Sequence, residues 1–291
     1  MTLVSIVMAA QDAETTIGDS VGSVLAQTHA EWELIVVDDG STDGTAHVVR
    51  SFDDPRVRLI EAGRMGVLAR VRNRGIHEAR GLWVAFLDAD DVWLPAKLER
   101  QLAVLAERPA VGVVHTHWLR VLDGRREPAR VGRREPLFSA LIEDNFVLSS
   151  SALVRRSLLV EHGAFDPDPA LWGSPDYELW LRLAPLTEFV YIDEPLVLYH
   201  IHPGQMTADH RRMCLGALAA LEKARQRYPE LAGRADLVWE RRVGMLRCLG
   251  GLPGRGRPEL LRVLRSAPLD RRAWKWLLRS FLPAVWLGAH Q

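Results

Sequence analysis

Cysteine is almost absent from this chain. Cys214 and Cys248 are its only two, far apart in 291 residues, so the sequence offers neither a disulfide framework nor a cysteine metal site. No uninterrupted apolar run approaches the roughly 18 to 20 residues of a membrane-spanning helix. The opening M-T-L-V-S-I-V-M-A-A has no basic region of the kind that begins a signal peptide. These absences predict a chain that stays in the cytosol. Net charge is missing as well: 37 Lys and Arg balance 37 Asp and Glu, with 48% of residues hydrophobic and 25% charged, which is ordinary globular composition and not that of a disordered chain. The zero conceals an asymmetry. Residues 211–291 hold 17 Lys or Arg against 6 Asp or Glu, leaving 20 against 31 for residues 1–210; two parts so charged face different partners. The length allows one extended domain or a main domain with an appendage, and no internal repeat is visible.

What is present is alternation. Residues 4–10, 33–37, 57–61 and 83–87 are short, apolar or β-branched runs, whereas residues 14–26, 45–52 and 67–79 have helical spacing, with Thr42 or Asp43 as N-cap of the second helix. Such alternation predicts βαβ units and a mostly parallel sheet. Continuous runs such as I-V-V and V-A-F-L fit strands covered on both faces. Further on, residues 111–118 read as a strand, 123–135 as a basic loop, and Ser149-Ser150-Ser151 as the opening of another strand. A helix is expected near 177–183, then strands at 189–192 and 196–200 around a turn at Asp193-Glu194-Pro195. From about Met206 the pattern is helical, with breaks at Tyr228-Pro229, at the G-G-L-P-G-R-G-R-P segment of residues 250–258, and at Pro268.

In an open α/β sheet, ligands bind beyond the carboxyl ends of the strands. Two acidic clusters fall at such ends: Asp38-Asp39-Gly40-Ser41 after the second strand, and Asp88-Ala89-Asp90-Asp91 after the fourth. A D-x-D pair on a short loop suits a hard cation, since Mg²⁺ takes one or two carboxylates and completes its shell with water and substrate phosphates. Alone, the same pair reads rather as a solvated turn. The run D-D-G-S-T-D-G-T adds carboxylates able to accept from ribose hydroxyls or a base N–H, and glycines that permit close backbone approach. Asp91 reads as a helix-starting residue without a chemical role. Arg70, Arg72 and Arg74, on the helix after Gly66, either reach phosphate or solvate that helix.

The chain resembles glycosyltransferase family 2, nucleotide-sugar-dependent inverting enzymes of the GT-A fold. The stretches that carry the resemblance are V-S-I-V-M, V-V-D-D-G-S-T-D-G-T, A-R-V-R-N-R-G-I-H-E-A-R-G, V-A-F-L-D-A-D-D, P-D-Y-E-L-W-L-R-L at 175–183 and D-E-P-L-V-L-Y-H-I-H-P-G-Q-M at 193–206. The resemblance implies an α/β fold of Rossmann-like type, a mixed, mostly parallel sheet with flanking helices and a helical C-terminal region. It implies a GT-A domain over 1–206, with a nucleotide-binding half to about 110 and an acceptor and catalytic half over 111–206, and then a basic helical region over 207–291. It also implies roles. Asp39 contacts the nucleotide base with Asp38 supporting its loop; Asp88 lies near ribose and metal; Asp90 is the direct metal ligand. Asp176 is the general base. His202 stands near metal or diphosphate, with His200 as its substitute, and Arg70 lies on the donor side. The implied cofactor is Mg²⁺ or Mn²⁺, the implied donor a UDP-sugar, and the implied acceptor a hydroxyl on a glycan, lipid-linked saccharide or small molecule of cell-surface glycan synthesis.

The chemistry agrees with those roles. A cation neutralises the charge that builds on a departing diphosphate, and a carboxylate within hydrogen-bond reach of the acceptor hydroxyl contributes about 10² to 10⁴-fold as general base. Asp176 begins a helix, where the dipole favours negative charge, although a plain N-terminal helix charge would look the same. The chain departs from the family pattern where a proline, an aromatic and an asparagine are usual: it has Ala9, Gln11 and Asp12, so Asp12 takes the asparagine's place at the nucleotide. Pro175 replaces the acidic residue usual before the base. Those departures motivate a competing reading, a non-catalytic nucleotide-sugar-binding or scaffold protein. A nucleotidyltransferase would want a Gly- and Arg-rich phosphate loop after the first strand, and residues 9–16 offer none.

The final segment R-R-A-W-K-W-L-L-R-S-F-L-P-A-V-W-L-G-A-H has the Trp, Leu and Arg content of an amphipathic helix in a membrane interface. Residues 268–291 are accordingly expected either to touch the inner face of a membrane or to pack on the protein with their arginines solvated. Its arginines have no matching nucleic-acid-binding motif, so no nucleic-acid partner is expected.

Overall fold

The structure is a computed structural model that describes residues 2–129, 131 and 137–281. Part of the basic loop expected over 123–135, and the apolar end of the chain from Leu282 on, lie outside the described residues.

In chain order the elements are β1 (Val4–Ala10), α1 (Ile17–Leu25), β2 (Trp32–Asp38), α2 (Thr45–Arg50), β3 (Val57–Glu61), α3 (Leu68–Glu78), β4 (Trp83–Phe86), β5 (Val92–Trp93), α4 (Lys97–Glu107), β6 (Val111–Leu122), β7 (Arg125–Pro128), α5 (Leu137–Glu143), β8 (Leu153–Arg155), α6 (Arg156–Glu161), α7 (Pro175–Leu183), β9 (Glu188–His200), α8 (His210–Arg227), α9 (Pro229–Arg234), α10 (Asp236–Leu249), α11 (Pro253–Ser266) and α12 (Arg271–Arg279). They form two compact units, each assembled from separate stretches of chain. The first comprises Met1–Arg133, Phe146–Pro167 and Leu183–His202; the second comprises Arg134–Asn145, Asp168–Arg182 and Pro203–Gln291. The division thus does not follow a single cut at 206, because α5 and most of α7 go with the C-terminal helices.

The first unit is built on one sheet of order β3-β2-β1-β4-β8-β6-β9-β5, with β7 paired to β6. Strands β3, β2, β1 and β4 are parallel; the apolar runs of β2, β1 and β4 are buried on both faces, Val4, Ile6, Leu34, Ile35, Val36, Val84 and Ala85 having no exposure, as expected where helices cover a parallel sheet, while the edge strand β3 is only partly buried. The remainder is mixed. β6 and β9 are parallel over the longest ladder of the sheet, whereas β8, β5 and β7 all pair antiparallel over a few residues each, so the sheet is mixed and mostly parallel, as expected, with its uninterrupted parallel run in the first half. Alternation of helix and strand forces crossovers and parallel pairing there; beyond residue 110 the short strands β7 and β8 follow turns that reverse the chain.

One expectation about breaks fails and another is met over a shorter stretch. The turn foreseen at Asp193-Glu194-Pro195 is absent: β9 runs unbroken through it, and Pro195 sits opposite His117 where the ladder register shifts, an irregularity that tolerates a residue without an N–H. The glycine- and proline-rich segment 250–258 breaks the helices only at Gly250–Leu252, since α11 already begins at Pro253, a first position that proline favours. Gly256 is there for proximity: a Cβ on it would lie 2.5 Å from the Gly244 carbonyl oxygen and 2.6 Å from Cys248 Sγ. It therefore lets α11 cross close over α10.

In the second unit, α10 packs against α8, α11 and α12, and α5 lies against α10. A small core of Cys248, Leu260, Val263, Leu264, Ala273 and Leu277 joins α10, α11 and α12. Among the described residues no helix is long and apolar enough to cross a membrane.

Candidate active site

Register brings the two acidic clusters to one edge. Ala10 of β1 pairs with Asp38 at the end of β2, and Val7 pairs with Phe86 at the end of β4. The residues following β2 and β4 therefore emerge side by side, on either side of β1, at the carboxyl edge where α/β sheets take ligands.

The loops after β1 and β2 are tied together by side chains. Asp12, at φ 47°, accepts from the Thr42 N–H at 2.7 Å and the Thr42 hydroxyl at 3.2 Å, and its own N–H donates to Ser41 Oγ at 2.9 Å. The Thr42 N–H first, and then the Gln11 amide, hold the Asp12 carboxyl below its usual range. Asp43 accepts from the Glu14 and Thr45 N–H groups, both at 3.0 Å, so it shields the start of α2 one residue ahead of the formal N-cap, Gly44. Asp38 is buried and accepts from the Ser41 N–H and hydroxyl. Asp39, also buried, accepts from the Met65 and Gly66 N–H groups, so its carboxylate secures the loop between β3 and α3. Gly40 lies where that loop passes: its φ is +69°, and a Cβ there would meet the Arg64 N at 3.0 Å.

The cluster after β4 divides its work. Asp88 Oδ1 pairs with Arg72 at 2.5 Å, and the Asp88 N–H donates to Ser150 Oγ at 3.1 Å. Arg72 is buried and also faces the Phe165 ring; of the two readings open to it in the sequence, neither solvation nor direct exposure to phosphate describes it. Asp90 is partly exposed, and its Oδ2 lies 3.0 Å from Nε2 of His202, which is itself 41% exposed. The neighbouring His200 turns its Nδ1 to the Asp90 carbonyl at 2.7 Å, so it supports the backbone. Burial, and next the charge of Asp88, push the Asp90 carboxyl up, against the pull of the His202 hydrogen bond.

Asp91 overturns the sequence reading. It starts no helix, because β5 follows directly and α4 begins only at Lys97. It is completely buried, accepts from Ser150 Oγ at 2.5 Å and from the His200 N–H at 3.3 Å, and is pushed well up by burial and by Asp88 and Asp90. Ser150 thereby connects the Asp91 carboxylate to the Asp88 backbone. The Trp93 indole donates to the Ser150 carbonyl at 2.7 Å, and Gln101 Nε2 to that of Ser151 at 2.9 Å, which fixes the one-turn 3-10 helix Ser149–Ser151. Ser150 carries no role in the sequence reading; three consecutive hydroxyls before an apolar run were the available signal for it. Arg70 is exposed on α3, and Arg74 pairs with Glu78 at 3.1 Å.

Asp176 belongs to the second unit. Helix α7 is buried nearly throughout, with an internal Glu178–Arg182 ion pair at 2.9 Å, and Asp176 in its first turn stays partly accessible. Asn145 Nδ2 donates to Asp176 Oδ2 at 3.3 Å, while Asp176 Oδ1 accepts from the Tyr177 N–H at 2.8 Å.

Among the described residues, no three of His, Cys, Asp and Glu converge into a metal cage. The donor set nevertheless fits a divalent cation of the kind that substrate phosphates help to hold: a carboxylate and an imidazole in contact, both reachable from solvent, with the Asp88 charge close enough to bear on Asp90.

A sheet of this order with acidic residues at the carboxyl edge is the GT-A fold of nucleotide-sugar transferases. The model of the family "Glycosyl transferase family 2" matches residues 5–163. Succinoglycan biosynthesis protein ExoO of Rhizobium meliloti is 33% identical over 254 residues, which cover 82% of this chain and 72% of ExoO. The chain belongs to glycosyl transferase family 2. UDP-Glc:alpha-D-GlcNAc-diphosphoundecaprenol beta-1,3-glucosyltransferase WfgD of Escherichia coli is 45% identical over 103 residues, 35% of this chain and 41% of WfgD; this chain thus spans less than half the length of that relative. Among solved structures, S. aureus TarS 1-349 in complex with UDP-GlcNAc superposes with a TM-score of 0.61 at 16% identity over 96% of this chain and 91% of that one. The mannosyltransferase PcManGT of Pyrobaculum calidifontis, in complex with GDP-Man and Mn2+, gives 0.64 at 18% identity over 95% and 83%.

Proposed function

We propose that this protein transfers a sugar from a UDP-sugar to an acceptor hydroxyl, with inversion at the anomeric carbon and with Mg²⁺ or Mn²⁺ as cofactor, in the synthesis of a cell-surface glycan. The observation that carries the proposal is the contact of Asp90 with His202 beside Asp88, at the sheet edge where a nucleotide diphosphate binds in this fold. A UDP-sugar donor is supported by the names of WfgD and of the TarS complex. Divalent metal is supported by the Mn2+ of the PcManGT complex.

Asp90 and His202 are the residues that would hold the cation, which when bound supplies positive charge against the departing diphosphate. Asp12, Asp38, Asp39 and Asp88 shape the nucleotide side. Asp12 and Asp39 do so through the loops they tie, Asp88 through the orientation that Arg72 and Ser150 give it, and Arg70 presents an exposed cation to the phosphates. Asp176 takes the proton from the acceptor hydroxyl, its carboxylate oriented by Asn145 and the Tyr177 N–H. Direct attack by the acceptor hydroxyl, with a single carboxylate taking its proton and no covalent sugar–protein intermediate, is single displacement and inverts the anomeric centre.

The test is sugar transfer and donor hydrolysis across a panel of UDP-sugars, alongside calorimetric UDP binding with Mn²⁺ or with EDTA. The expected result is transfer by the wild type and none by Asp176→Asn, whose UDP affinity stays within about twofold of wild type because the lost interaction serves the transition state. Metal-dependent UDP binding with no turnover of any donor would make the protein a nucleotide-sugar-binding scaffold.

A further inference from the structure

We propose that α12 and the turn before it are a docking surface for anionic membrane, on which the helix lies flat. The apolar arc of α12 is wider than the part that packs inward. Ala273 and Leu277 are buried in the core shared with α10 and α11, and Trp276 packs beside them. Trp274, Leu278 and Phe281, spaced by four and then three residues so that they share one side of the helix, remain 45%, 63% and 65% exposed, and Leu269 in the preceding turn is 90% exposed. Single exposed hydrophobics are ordinary, but a contiguous strip is not. The Trp274 indole N–H donates to the Pro268 carbonyl at 2.8 Å, so the polar atom of that ring is satisfied within the chain and its exposed remainder is hydrocarbon.

Charge identifies the partner. Arg271, Lys275 and Arg279 recur every fourth residue and run alongside the strip, Arg257 stacks over the Phe281 ring at 3.9 Å, and no acidic residue occurs between Arg271 and Phe281. An apolar strip bordered by a cationic row matches the two components of an anionic bilayer surface, acyl chains below and negative headgroups above. Long basic side chains reach the headgroups while their stems stay apolar. At 1.5 Å per residue the nine residues of α12 extend about 14 Å, under half of the ~30 Å hydrocarbon layer, so the helix lies in the interface and does not cross it. A second copy of the chain is a poorer match, because pairing through the strip sets the cationic row of one copy against its equivalent.

Cosedimentation of the full chain with phosphatidylcholine vesicles, and with mixed phosphatidylglycerol and phosphatidylcholine vesicles, tests this. Binding is expected to the mixed vesicles only and to weaken as salt is raised. Arg271→Ala with Lys275→Ala is expected to lower partitioning about 25-fold, from roughly fivefold per basic residue. Trp274→Ser with Leu278→Ser is expected to lower it at least tenfold, and since all four side chains point away from the core, both variants should keep the wild-type melting temperature. Equal partitioning of wild type and both variants would overturn the proposal. So would a concentration-dependent dimer abolished by Trp274→Ser with Leu278→Ser in the absence of vesicles. A loss of binding produced only by deletion of residues 282–291, with the strip variants unaffected, would assign membrane binding to those residues and overturn it equally.

Discussion

His202 Nε2 stands 3.0 Å from Asp90 Oδ2, a contact that joins the loop after β4 to the end of β9 across more than a hundred residues of chain. Both side chains remain reachable from solvent, unlike Asp91 beside them. If this pair holds the cation, Asp90→Asn and His202→Ala should each weaken Mn²⁺-dependent UDP binding by at least about tenfold, while the weaker binding measured in EDTA stays at the wild-type level. Titration calorimetry checks this, and wild-type metal dependence in either variant would remove that residue from the metal site.

Arg72 and Asp88 form an ion pair of unequal partners: Arg72 is 4% exposed and Asp88 30%. Truncating one side of such a pair leaves the other charge behind, and the cost depends on whether water can reach it. Asp88→Ala strands a buried guanidinium and should cost about 3 kcal/mol, whereas Arg72→Met strands a carboxylate that water can solvate and should cost about 1 kcal/mol. The double variant should recover most of the larger loss. Urea unfolding of the three variants gives the ordering, and equal losses in the two single variants would contradict it.

The parallel half of the fold was legible in the sequence because continuous apolar runs and helical spacing alternate there without ambiguity; β1 and β3 begin and end where the residues predict. The placement of Asp38 and Asp88 at one sheet edge followed from strand order alone. Other features depended on tertiary partners. Pro195 looks like a turn because proline interrupts a ladder, yet the register shift opposite His117 accommodates it. Gly254 and Gly256 look like part of the break that Gly250–Leu252 makes, yet both lie within α11, and Gly256 serves a close helix crossing. Arg72 and Asp91 look like surface charges, and only the packing of Phe165, Ser150 and His200 around them shows otherwise.

The chain Asp91, Ser150, Asp88 makes a further prediction. Ser150→Ala leaves the Asp88 N–H and one Asp91 oxygen without their partner in a buried position, and should cost about 1 to 3 kcal/mol. Because Asp88 and Asp90 lie on the same short loop, loosening it should also raise the Mn²⁺ concentration needed for half-maximal UDP binding. Ser150→Thr, which keeps the hydroxyl, should restore more metal affinity than Ser150→Cys. A Ser150→Ala protein with lowered stability and unchanged metal dependence would reduce this serine to a packing role.

The contribution of His115 to the pH dependence of stability has a definite sign. His115 is buried against the Phe146 and Tyr191 rings, its Nδ1 has no hydrogen-bond partner among the described residues, and burial pulls its pKa down from 6.5 to about 3. The unfolded chain therefore takes up a proton below about pH 6.5 that the folded chain refuses. Stability should fall as pH drops from there toward 3, by at most about 1.4 kcal/mol per pH unit from this residue. Glu33 acts in the same direction at lower pH. Its burial pushes the carboxyl up, but the Arg80 guanidinium, the Ser5 hydroxyl and the Arg80 N–H outweigh that and leave it lowered. Its contribution is present above the unfolded pKa and disappears as pH falls through the folded one. Asp90 and Asp91, pushed up by burial, oppose this trend, so the check is a difference: between about pH 6.5 and 5, where Glu33 is still ionised in both states, the urea midpoint of His115→Phe should lose less on acidification than that of the wild type. A His115→Phe protein with the wild-type slope in that window would mean that another buried group governs the acid response.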